Sequence, residues 1–267
     1  YKDFKKNVPI VDYEGIKKYI NEIKEGRENV LWPGLPKYFA TTSGTTSGEK
    51  HIPITKESLP NLLQGATDES KTQFSVLHPK DEVLSFYSTD GRGEIILPDL
   101  IESYSHGDHP MVISKVYFSG LQQNRDYSLF LEAPDGTIVT ERFYRTLSMN
   151  QSNLRFAIAS CMDDENHDPD IWIDMVEKDP DIIFFVGDSV YADRLRGSEE
   201  RRSADPDQLW LRFCQARQTL EIFQSKKLIP IIAVWDDHDF GRNDTGKTYP
   251  YVEESQKNFL SFFQQLE

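Results

Sequence analysis

Three stretches of the chain gather side chains that can bind a cation: "RFAIASCMDD", "IIFFVGDSVYAD" and "AVWDDHDFGRND". Each is an apolar run that ends in acids. The first leads to Cys161, Asp163 and Asp164, and the second to Asp188, Tyr191 and Asp193. The third leads to Asp236, Asp237, His238 and Asp239, with Asn243 and Asp244 close behind. Ionised carboxylates crowded together repel, so either their pKa values rise or a cation sits between them. A multivalent cation is the simpler solution, and three contributing clusters make a two-metal site reasonable. Singly, each residue has a plainer use. An aspartate after a strand often caps a helix, a lone cysteine is a small apolar side chain, and a lone histidine is often a hydrogen-bonded core residue. The coincidence at three comparable places is what points to a site. Other chemistries fail on the residues: Cys161 has His167 where a cysteine-dependent phosphatase needs arginine, no C-x-x-C pair offers a structural zinc site, and "ASCMDD" lacks the glycines of a dinucleotide loop.

The elements around these clusters must bring them together. From about residue 153, continuous apolar runs alternate with helical spacing: "LRFAIASC", then "PDIWIDMVEKDP", then "DIIFFVGD", a helix over about 205–224, and "LIPIIAVWD". Buried strands alternating with helices predict a parallel sheet covered on both faces, where ligands bind beyond the carboxyl ends of the strands. "YVEESQKNFLSFF" predicts one more helix. From about 83 to 148 the pattern is that of short antiparallel strands. There "APDG" is a turn between alternating runs, which predicts a hairpin and a β-sandwich.

The chain has 267 residues and a net charge of −14, which disfavours routine nucleic-acid binding because phosphate backbones recruit Lys and Arg. No apolar stretch approaches the ~18 residues of a membrane span. Two cysteines are too few for a disulfide framework. The sequence begins without Met and ends inside a helical pattern, so it reads as cut at both ends. Cytoplasmic and exported locations both stay open, and no protein partner can be inferred.

"ASCMDD", "VGDSVYAD" and "VWDDHDFGRND" together resemble the motifs of PhoD-like alkaline phosphatases, a branch of the calcineurin-like metallophosphoesterases. The resemblance covers about residues 83–267, and it implies that the strand-rich segment is a fibronectin-like domain. It also implies a ligand set of Cys161, Asp188 (bridging), Tyr191, Asp237 and Asn243, with His238 as the catalytic residue that stabilises or protonates the transferring group. Asp237 stands where most relatives have an asparagine. The implied cofactors are two or more metal ions, either iron with calcium or zinc, manganese or magnesium. The implied reaction is hydrolysis of small-molecule phosphate mono- or diesters by a metal-activated water. After His238 the sequence holds no further His or Cys, so part of the family's ligand set is missing and weak turnover is expected.

Near the amino terminus, "FATTSGTTSGEKHIPIT" is a hydroxyl- and glycine-rich loop followed by a strand pattern. Its backbone amides could cradle phosphate, although the Walker spacing is not met. The wider stretch from "VPIVDYEGIKKYI" to "KHIPIT" resembles the auxin-responsive acyl-acid amido synthetases, which are adenylate-forming enzymes. That resemblance implies an ATP phosphate loop at Thr41, Thr42, Ser43, Gly44, Thr45, Thr46, Ser47 and Gly48, and its motifs give out near Ala66. The expected architecture is therefore multi-domain: a partial adenylate-forming segment (1–66), a fibronectin-like β-sandwich (67–148), and a truncated α/β metallophosphoesterase core (149–267). The alternatives to a phosphoesterase are an adenylate-forming acyl-acid ligase and a non-catalytic fragment.

Overall fold

The structure, a computed structural model, describes residues 13–36, 38–42, 50–54, 71–148, 153–198, 200–246 and 248–263. By their contacts these fall into two compact units, 1–63 and 64–267. In the first unit, helix α1 (Tyr13–Lys24) buries Ile20 and Ile23, three residues apart and therefore on one face. Strands β1 (Tyr38–Thr42) and β2 (Lys50–Ile54) pair antiparallel. The Tyr13 hydroxyl accepts the His51 amide at 2.7 Å, which ties α1 to β2.

The second unit begins with seven strands: β3 (Lys71–Pro79), β4 (Ser85–Asp90), β5 (Ile95–Ile96), β6 (Leu100–Tyr104), β7 (Met111–Ser119), β8 (Asp126–Glu132) and β9 (Ile138–Arg145). The expected hairpin is present. β8 and β9 pair antiparallel across "APDG", where Gly136 takes φ 82° and the Ala133 amide donates to Thr137 O. One sheet has the order β3-β7-β6. The other has the order β9-β8-β4-β5 and is extended at β9 by a strand from much later in the chain. Alternate residues of both sheets meet in one apolar cluster: Val116 and Phe118 from the first, Phe86, Leu129, Leu131 and Tyr144 from the second.

Next come β10 (Phe156–Ala159), α2 (Pro169–Glu177), β11 (Ile182–Val186), α3 (Pro206–Thr219), β12 (Lys227–Leu228), β13 (Ile231–Val234), α4 (Asp237–Phe240) and α5 (Val252–Phe262). α2 and α3 begin alike, with an aspartate N-cap (Asp168, Asp205) and proline in the first turn, where the missing N–H is no loss. α3 stops at Thr219, and a short 3-10 turn over Glu221–Phe223 follows, so the helix expected over 205–224 is shorter than its pattern. β10, β11 and β13 form the parallel sheet, in that order. The apolar run "LIPIIAVWD" is not one strand. Pro230 has no N–H to donate and divides it: β12 joins β9 in parallel, whereas β13 joins β11. One face of the parallel sheet, with Ile183 and Phe185 fully buried, packs under Trp172, Leu209, Phe213 and Phe262 from the helices. Ile113 of β7 belongs to the same core, so the strand-rich stretch and the α/β stretch share packing as well as a sheet. Among the described residues no helix is long and apolar enough to cross a membrane.

Candidate metal and phosphate site

The loops after β10, β11 and β13 interlock through backbone bonds. The Cys161 amide donates to Gly187 O (3.3 Å), the Met162 amide to Asp188 O (2.9 Å) and the Ala192 amide to His238 O (3.3 Å). Asp239 completes the lock. It is fully buried, and its carboxylate accepts the Val190 amide and the Asp236 amide, each at 3.0 Å. Together with Asp236 it forms a capping box at the start of α4. Burial pushes the Asp239 carboxyl well above the usual carboxylate range, with Asp188 adding to the rise and the amide bonds opposing it.

Two residues at strand ends sit in left-handed backbone conformations, Cys161 at φ 55° and Asp188 at φ 52°. Such conformations are strained for residues with a β-carbon and cluster where function fixes the backbone. The result is a convergence: Asp188, Asp237 and His238 each offer a ligand atom, all within 4.8 Å of one another. Cys161 Sγ lies 3.5 Å from Asp188 Oδ2, so Asp188 faces both the cysteine and the Asp237–His238 pair. Its other oxygen, Oδ1, is buried with no hydrogen-bond partner among the described residues. Burial raises the Asp188 carboxyl above its ordinary value, with Asp236 and Asp237 adding to the rise and His238 and Cys161 opposing it. Burial also raises the Tyr191 phenol, followed by its neighbours Cys161 and Asp188. A partnerless carboxylate oxygen among further anions and a thiol suits a cation.

His238 is 6% exposed and held on both ring nitrogens. Nδ1 lies 2.8 Å from Asp193 Oδ1 and Nε2 lies 2.9 Å from the Arg201 guanidinium. Arg201 can only donate, so Nε2 must accept and the ring proton belongs on Nδ1, facing Asp193. Burial depresses the imidazole, but Asp193 outweighs it and the net shift is upward. Asn243 is brought near, but its amide oxygen accepts Arg201 at 2.9 Å and its nitrogen donates to Asp244 at 2.6 Å. The Tyr191 ring packs 4.4 Å from the His238 ring, centroid to centroid.

Several acids at the strand ends do other work than cation binding. Asp164 forms a fully buried pair with Arg212, at 2.6 and 3.3 Å. Asp163 pairs with Arg194 at 2.5 Å. Asp193 orients His238, and Asp236 caps α4. Arg201 escapes a reading of the sequence, since nothing in "SEERRSAD" marks one arginine of several. A hint exists only in the need of a buried acid cluster for cations. At the amino terminus, Thr41 and Thr42 end β1, while Ser43, Gly44, Thr45, Thr46, Ser47 and Gly48 lie outside the described residues.

Residues 156–261 match the family model of PhoD-like phosphatases. This PhoD-like stretch contains all three acid clusters. Residues 1–128 match the GH3 family N-terminal domain, so that likeness runs on past Ala66 and across much of the strand-rich stretch. Curated relatives are two proteins of Arabidopsis thaliana. Indole-3-acetic acid-amido synthetase GH3.15 is 45% identical over 63 residues, 23% of this chain and 11% of that protein. Indole-3-acetic acid-amido synthetase GH3.6 is 29% identical over 150 residues, 54% of this chain and 23% of that protein. The chain thus spans a quarter or less of the curated relatives it matches. Among solved structures, "Structure of PhoD" aligns with a TM-score of 0.49 and 19% identity, covering 69% of this chain and 38% of that one.

Proposed function

We propose that the PhoD-like part hydrolyses phosphate mono- or diesters of small molecules with the help of bound metal ions. The observation that carries this reading is Asp188: a carboxylate with one partnerless buried oxygen, facing Cys161 on one side and Asp237 and His238 on the other. Cys161, Asp188 and Tyr191 would hold one ion, which the thiolate and phenolate make suitable for iron. Asp188 and Asp237, with Asn243 once its amide leaves Arg201, would hold a second, such as calcium, with zinc, manganese or magnesium as the other candidates. Ions bound there would supply positive charge against the phosphoryl oxygens and a Lewis acid beside the scissile bond. The chain's own residues do the rest. Asp193 fixes the His238 ring and its tautomer. His238 Nε2, which accepts Arg201 here, would exchange that partner and take up a proton before donating to a phosphoryl oxygen or a leaving group. Arg201 adds a guanidinium suited to phosphate oxygens.

We further infer that the antiparallel segment is of fibronectin type. A second reading, adenylate formation by the GH3-like part, is favoured by the family match over residues 1–128 and by the two amido synthetase relatives. It predicts ATP binding that needs no residue of the acid clusters.

The test is metal analysis of the purified chain and of Asp188→Asn, with hydrolysis of p-nitrophenyl phosphate and bis-p-nitrophenyl phosphate before and after chelation. Stoichiometric metal and chelator-sensitive release of p-nitrophenol, both lost in Asp188→Asn, would support the proposal. A chain without metal that hydrolyses neither ester after metal addition would end it.

A further inference from the structure

Away from these residues, a cavity of about 450 Å³ lies between β3, β9, the 3-10 turn and the last turn of α5. It reaches β13 at Ile231, the amino end of that strand, whereas the candidate metal site follows the carboxyl end. Its size falls in the range of small-molecule sites, about 300–1,000 Å³. The walls are mainly apolar, with Phe74, Leu77, Leu131, Ile222 and Phe263 among them. The charged residues on the lining are Arg142, Arg145 and Arg217 against a single acid, Glu82. In a chain of net charge −14 that is a local reversal of sign.

Arg145 is answered by Asp126 at 2.7 Å. Arg142 and Arg217 have no carboxylate partner among the described residues. Arg142 donates to Ser225 O and to Thr140 Oγ1. Arg217 donates to Phe262 O and lies over the Phe223 ring at 4.3 Å and the Phe263 ring at 5.4 Å. Its Nε is buried and finds no acceptor among the described residues. Burial pushes the Arg217 guanidinium down to about 10 and lowers Arg142 as well. Capping the carboxyl end of α5 explains one bond of Arg217, but Lys115 already donates to Leu260 O and Phe263 O at that same end. A carbonyl carries only partial charge, so a second cation there stays uncompensated. An apolar cavity with a partly satisfied guanidinium in its wall suits a ligand with an apolar body and one anionic end.

We propose that this cavity binds an amphipathic anion, a medium-chain carboxylate whose tail lies on the apolar wall and whose head meets Arg217 and Arg142. Neither the phosphoesterase reading nor the GH3 likeness is needed for it.

The experiment is calorimetric titration of the full chain with dodecanoate and with dodecanol, kept below their aggregation limits, and of Arg217→Gln and Arg142→Gln. Expected are one dodecanoate per chain, a roughly tenfold weaker alcohol, and a similar loss of dodecanoate affinity in Arg217→Gln, as loss of a charge-assisted pair implies. Val76→Phe, which adds volume at the lining, should also weaken binding. The proposal is overturned if the folded chain takes up no dodecanoate, if acid and alcohol bind equally, or if both arginine variants bind like the parent. Should Arg217→Gln unfold because α5 loses its cap, the acid–alcohol comparison on the parent and the Arg142→Gln variant decide.

Discussion

Gly187 stands between β11 and Asp188 at φ 97°, and a β-carbon built there would lie 2.7 Å from the β-carbon of Asp236. In Gly187→Ala two penalties add. A left-handed backbone disfavours alanine by roughly 1–2 kcal/mol. Carbon atoms rest about 3.5–4.0 Å apart, so the ends of β11 and β13 must also separate by around 1 Å, against the strand-end bonds that lock them. Overpacking of this kind typically costs about 1–3 kcal/mol, which brings the sum to about 2–5 kcal/mol. For a unit of this size each kcal/mol lowers Tm by roughly 2–4 °C, so a fall of about 4–20 °C is expected. Gly91→Ala is the control, because no atom lies within 4 Å of its β-carbon position and its φ is not positive. The assay is a thermal melt of the parent and both variants, followed by circular dichroism. If Gly187→Ala melted together with Gly91→Ala, the close approach of the two strand ends would be wrong, and with it the placement of Asp188 against Asp236.

The buried Arg212–Asp164 pair makes a sharp contrast. Arg212→Met should destabilise by about 3–5 kcal/mol in urea titrations, whereas Arg212→Met with Asp164→Leu should recover most of that loss. Equal losses in both would contradict a charge left unpaired. Cys214 is 1% exposed, and burial pushes its thiol up to about 12 from 9.0. The folded state therefore keeps a proton that the unfolded chain gives up, so this stability is whole below pH 9 and is lost as pH rises towards 12, at up to about 1.4 kcal/mol per unit. Cys214→Val should lose less stability than the parent between pH 8 and about 11, measured by urea unfolding at each pH. Asp193→Asn removes the carboxylate that fixes His238, and phosphate-ester turnover of the folded variant should fall by roughly 10–100-fold. An unchanged rate would show that the ring's orientation does not matter.

The sequence made the positions of β10, β11 and β13 legible because a short, continuous apolar run that stops at an acid fits a buried strand and little else. The convergence of Cys161, Asp188, Asp237 and His238 followed from parallel strands ending on one side. The duties of individual acids were not legible. Asp163 and Asp164 sit one residue apart, yet their partners Arg194 and Arg212 come from a loop and a helix far along the chain. No local pattern tells a carboxylate that will meet a cation from one that will meet a guanidinium. The split of "LIPIIAVWD" was legible in principle from Pro230, although which sheet each half joins depends on neighbours a whole segment away. Arg201 and the cavity arise only from packing and leave no periodic trace.

β12 is two residues long, yet it belongs to a sheet whose other strands all precede residue 146. The strand-rich segment is therefore not an interchangeable cassette. A crossover placed after Leu147 would hand the recipient a sheet with a vacant flank at Phe143 and Tyr144. The donor would keep a dipeptide whose natural neighbour had gone. Any genetic shuffling that preserves stability has to transfer both pieces together, or supply a new flank.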